Sequence, residues 1–225
     1  MVRLQWFTFS GVNSAALREL ASRMLDDRYV ADRSWGFLVD DVRPSSISGR
    51  FIEKELVVST VEDPFGNTQR FEHTIFQKTR FRIDLTRHWM EIQDAPRTLA
   101  SFFSRLSEHS QFKASVEPIL FQPLAWFHVF RKTARDAVMT KAVIDDFELV
   151  ERVMVRAAVF SDADVEAHLQ KLVGKRKVTA SAIQICFTED SEIYRASVSA
   201  SGRIRILTAA HEAALDVIRA AVESR

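Results

Sequence analysis

Phe71-Glu72-His73-Thr74-Ile75-Phe76-Gln77-Lys78-Thr79-Arg80-Phe81-Arg82-Ile83-Asp84-Leu85 is the stretch that decides the fold class. Phe71, His73, Ile75, Phe81, Ile83 and Leu85 alternate onto one face, while Lys78, Arg80 and Arg82 fall on the other. That period of two belongs to a strand with one buried side. Upstream, Asp63-Pro64-Phe65-Gly66-Asn67 reads as a turn, because Pro fixes φ and Gly or Asn accepts positive φ. Before it, Ile47 to Val61 reads as a further strand. Downstream, Thr86-Arg87-His88 turns into a strand from Trp89 to Gln93. A helix follows, with Pro96 in its first turn and Leu99, Phe102, Phe103 and Leu106 as its apolar stripe.

The same grammar extends to both ends. Val2 to Phe9 predicts a strand, and Asn13 or Ser14 caps a helix whose stripe is Leu17, Leu20, Ala21 and Met24. Trp35 to Val42 predicts the next strand, and Pro123 to Val138 a helix. In the last third, Phe147 to Phe160 reads as one long strand, and Ser161-x-x-Asp164 opens a helix that stops at Gly174. Val178 to Phe187, Ile193 to Ser199 and Arg203 to Leu207 predict three strands, the last two joined by a turn at Ser201-Gly202. A final helix carries Leu215, Ile218 and Val222.

Set side by side, the ends suggest a duplication. Phe9-Ser10 before the first helix matches Phe160-Ser161 before its counterpart, and the stretch from Phe81 to Leu106 matches that from Ile193 to Ile218. The expected fold is α+β: two pseudo-repeats of β-α-β(3-4)-α, each an antiparallel sheet covered by helices on one face. The expected domains are residues 1–110, a connecting segment 111–146 with an aromatic-rich helix, and residues 147–225. This arrangement is similar in topology to the fold of the TATA-binding protein, in shape only, since none of that family's motifs is present.

Composition narrows the function classes. The 225 residues hold 31 basic and 30 acidic side chains, a net charge of +1, so only local clustering can attract a polyanion. The single cysteine, Cys186, excludes an internal disulfide and a Cys-rich zinc site, and makes a cytoplasmic location the default. No apolar run approaches the ~20 residues needed to span a bilayer, so no membrane association is expected.

The motifs of catalysis are missing. The six glycines are too dispersed for a phosphate-binding loop, and no G-x-S-x-G occurs. His211-Glu212-Ala213-Ala214-Leu215 starts like a zinc-protease helix but has Leu215 where the second histidine must stand. The expectation is a chain with no catalytic residues, no metal and no cofactor.

Basic faces are the remaining signal. Lys78, Arg80 and Arg82, with Arg87 in the adjoining turn, are expected to face outward beside an outward Trp89 able to stack on a base. Arg195, Arg203 and Arg205 take comparable positions in the second half, and Lys175, Arg176 and Lys177 form a further cluster. The competing reading is a solvated face neutralised by Glu53, Glu55, Glu91 and Glu192. The expected function is binding of DNA or RNA as an accessory component of a larger bacterial system. The alternative is an assembly subunit that docks another protein, or itself, through Phe121, Trp126, Phe127 and Phe130.

Overall fold

The computed structural model describes residues 1–134, 136–150, 153–173, 178–208 and 212–223. Gly174, Lys175, Arg176, Lys177 and His211 lie outside the described residues. In chain order the elements are β1 (Val2–Ser10), α1 (Ser14–Asp26), β2 (Trp35–Arg43), β3 (Ser46–Glu62), β4 (Thr68–Asp84), β5 (Trp89–Gln93), α2 (Ala100–His109) and β6 (Ser115–Pro118). They continue as α3 (Pro123–Thr133), β7 (Val138–Val150), β8 (Val153–Phe160), α4 (Glu166–Val173), β9 (Thr179–Glu189), β10 (Glu192–Ser199), β11 (Arg203–Ile206) and α5 (Glu212–Glu223). The chain divides into a first unit, Phe7–Glu117, and a second, Met1–Trp6 with Pro118–Arg225.

The first unit is built on the β3–β4 hairpin, paired in unbroken register from Ser46↔Asp84 to Glu62↔Thr68. Its turn forms where the sequence places it. The Asp63 carboxylate accepts from the Phe65 and Asn67 backbone N–H groups, each at 2.8 Å, and Gly66 takes φ +86°. β2 flanks β3 only as far as Glu53, and β5 flanks β4 only from Arg80. At the other end of the unit, the Asn13 side chain caps α1 by accepting from Ala16 N–H at 2.9 Å. The α1 stripe of Leu17, Leu20, Ala21 and Met24 then packs with Phe37, Phe51, Phe81 and Phe102 in one core. Each such side chain contributes about 1.5–3 kcal/mol on burial.

In the second unit, Val2 to Gln5 of β1 pairs antiparallel with β11, followed by β10, β9, β7 and β8. α3 packs on this sheet through Phe130, whose ring meets Phe187 of β9 edge-on at 5.1 Å. On α5, Ala214, Leu215, Ile218, Ala221 and Val222 are buried.

The duplicated fold is not what forms. Hydrogen bonding orders the strands β2-β3-β4-β5-β1-β11-β10-β9-β7-β8, with β6 on β1. The result is a large antiparallel sheet of eleven strands with five helices among the described residues, about 49% strand and 25% helix. Helices covering two repeated sheets do not describe it, and the likeness to the TATA-binding protein lapses with the repeat. A true repeat would set β8 beside β11 as β1 sits beside β5. Instead β8 pairs with β7 at the far edge, and β11 takes β1 as its neighbour. The strand read as continuous from Phe147 to Phe160 is a reversal, with Val150 opposite Val153. The helix expected to reach Val138 stops at Thr133, and Val138 already starts β7.

Candidate nucleic-acid interface

The sheet of the second unit has a face turned away from its helices, and alternation decides what stands there. Ile204, Ile206, Ala196, Val198, Ile183, Ile185 and Phe187 are buried on the helix side. Their neighbours along each strand must therefore point the other way.

The register then lines those neighbours into rows. Arg3 lies opposite Arg205, Arg205 opposite Ser197, Ser197 opposite Gln184, Gln184 opposite Lys141, and Lys141 opposite Phe160. The row crosses six strands, with steps of about 4.8 Å between them. It contains no carboxylate. Arg203 stands opposite Gln5 in the row on one side of it, and Arg195 opposite Cys186 in the row on the other side.

Arg195, Arg203 and Arg205 are exposed, and none makes an ion pair among the described residues. Asp145, on the same strand as Lys141, lies 2.7 Å from Arg156, which offsets its charge locally. Phe160 ends the row with its ring 77% exposed. Tyr194 belongs to the buried side. Burial first, and then the hydrogen bond to Glu192 at 2.9 Å, raises its phenol above the ordinary range, so it stays neutral.

The basic residues named in the first unit form a group of their own. Lys78 and Arg80 are exposed, Arg82 is half-buried, and Arg80 lies between Arg50 and Gln93. Arg50 is held by Asp40 at 2.6 Å. Arg87 reaches to 4.0 Å from Asp84. Trp89 corrects an expectation: it is only 4% exposed, and the guanidinium carbons of Arg82 and Arg87 each lie 5.9 Å from its ring centre. Its side of the sheet follows from alternation, but its exposure does not, and a covered ring offers no stacking platform.

Phe121, Trp126, Phe127 and Phe130 are buried as well. Trp126 stacks on Phe130 at 4.9 Å and lies 6.1 Å from Phe121. Their density builds the core of the second unit, and docking a partner through them would empty that core. Arg3, Lys141, Gln184 and Phe160 were missed by the sequence reading. The signal for Arg3 was present, because it alternates with Leu4 in a strand read correctly.

Among the described residues, no group of three or more His, Cys, Asp or Glu side chains converges to hold a metal ion. None of the helices among them is long and apolar enough to cross a membrane. No protein-family model matches the chain, and no curated protein matches it either.

Proposed function

We propose that this chain binds nucleic acid without acting on it, along the helix-free face of its second unit. The observation that supports this reading is the row Arg3–Arg205–Ser197–Gln184–Lys141–Phe160, with Arg203 and Arg195 beside it. The guanidinium and ammonium groups supply charge-assisted hydrogen bonds to phosphate oxygens, while Ser197 and Gln184 offer neutral donors and acceptors between them. An exposed phenyl ring at the end of a basic row favours a single strand, whose unpaired bases have free faces to stack.

Fluorescence anisotropy with labelled single-stranded DNA, single-stranded RNA and duplex DNA at low salt tests the reading. Binding is expected, with the single strands preferred. Arg205→Glu should weaken it at least ~10-fold, and Phe160→Ala should remove ~1–3 kcal/mol of the preference for single strands. Absence of binding at low ionic strength would sink the proposal.

A further inference from the structure

The outer half of the β3–β4 hairpin is a two-stranded arm. Among the described residues, β2 pairs with β3 only up to Glu53 and β5 with β4 only from Arg80, and no other strand takes either outer edge of the arm. The paired residues Lys54–Glu62 and Thr68–Phe76 extend as a two-stranded ribbon for roughly 30 Å. Ribbons of that kind are marginal in water, and their edges present unpaired backbone groups ready to accept another strand. This one is also apolar on both faces. Leu56, Val58 and Phe76 are exposed on one side, and Phe71 and Val61 on the other.

From this geometry we propose that the arm is a homodimer contact, in which β4 of one copy pairs antiparallel with β4 of a second copy about a two-fold axis at Phe71. The strand is self-complementary in that register. Phe71 meets Phe71, Arg70 meets Glu72 twice over, Gln69 meets His73, and Thr68 meets Thr74. Aromatic, opposite-charge and Thr–Thr pairs are the cross-strand contacts that stabilise antiparallel sheets. An interface built from one patch used twice closes at two subunits.

Within the single chain, Arg70 and Glu72 are 3.8 Å apart, with side chains 69% and 56% exposed, a contact worth little by itself. The outer edge of β3 is the competing surface. Its Lys54 is already engaged there, with its N–H donating to Ser34 O at 2.7 Å and its ammonium to Ala31 O at 3.3 Å.

Sedimentation velocity over a concentration series tests the contact. The wild-type chain should move from monomer toward twice that mass as concentration rises. Arg70→Glu sets Glu against Glu in the dimer, and Glu72→Arg sets Arg against Arg, so each variant alone should associate at least ~10-fold more weakly. Mixed together, the two variants restore both opposite-charge pairs and should form a heterodimer about as readily as the wild type. Circular dichroism of each variant should match the wild type, because both side chains are exposed. A wild-type chain that stays monomeric throughout overturns the proposal. So does a dimer indifferent to both substitutions, or a mixture that fails to associate although each variant is folded.

Discussion

At the scale of single residues, Gly202 and Gly66 separate two reasons for keeping a glycine. Both have positive φ, +75° and +86°. A Cβ on Gly66 would meet nothing within 4 Å, whereas one on Gly202 would lie 1.8 Å from the Ile119 carbonyl oxygen. Gly66→Ala therefore carries only the left-handed backbone penalty, about 1 kcal/mol. Gly202→Ala adds a backbone collision that no rotamer can relieve, and should cost at least ~3 kcal/mol. Urea denaturation of the two variants measures the difference. Equal losses would mean that the turn at Gly202 yields freely. The same scale explains Trp89: alternation settles which side of a sheet a residue occupies, and only packing settles whether water reaches it.

At the scale of elements, the β3–β4 hairpin was legible because its pattern and its turn agree, and β7 was not because its pattern is broken. β7 shifts register between Met139 and Lys141, between Val143 and Ile144, and between Ile144 and Phe147. The first and third of these leave an extra residue on β7 and reverse its alternation, while the second puts the extra residue on β9, so no single period of two runs the length of β7. Asp145 and Asp146 fall inside one of these irregularities. α1 was readable for the opposite reason, since its cap at Asn13 and its stripe agree. The hairpin tip has a pH dependence of its own. The Asn67 side-chain amide, and then the Asn67 backbone N–H, hold the Asp63 carboxyl below the ordinary aspartate range. A depressed acid stabilises the turn above its unfolded value, and that contribution disappears as pH falls through the folded value. Amide exchange at Phe65 and Asn67 should therefore stay constant around neutral pH, once corrected for intrinsic rates, and accelerate only in acid below the ordinary aspartate value. Asp63→Asn should remove the acid-dependent step. Protection that is unchanged in strong acid would show that the turn holds without the charge.

At the scale of the whole molecule, the opposing charges nearly cancel, with 31 basic against 30 acidic residues, so a polyanion has no reason to approach the chain as a body. Any affinity has to come from local order, and salt reads local order directly. Four cations stand on the open face of the second unit away from any carboxylate partner in the described ion pairs: Lys141, Arg195, Arg203 and Arg205. If each neutralises one phosphate of a single strand, the logarithm of the binding constant should fall against the logarithm of salt with a slope of about −3. Arg203→Glu or Arg205→Glu should then reduce the steepness by at least ~0.7, because one counterion fewer is released. Arg80→Glu is the informative comparison. It changes the net charge by the same amount but lies in the other unit, outside the row. A chain that binds through the row keeps its slope in Arg80→Glu and loses it in Arg205→Glu. A chain attracted by its overall charge shows the same change in both, and that outcome would remove the row from its place in the proposed function.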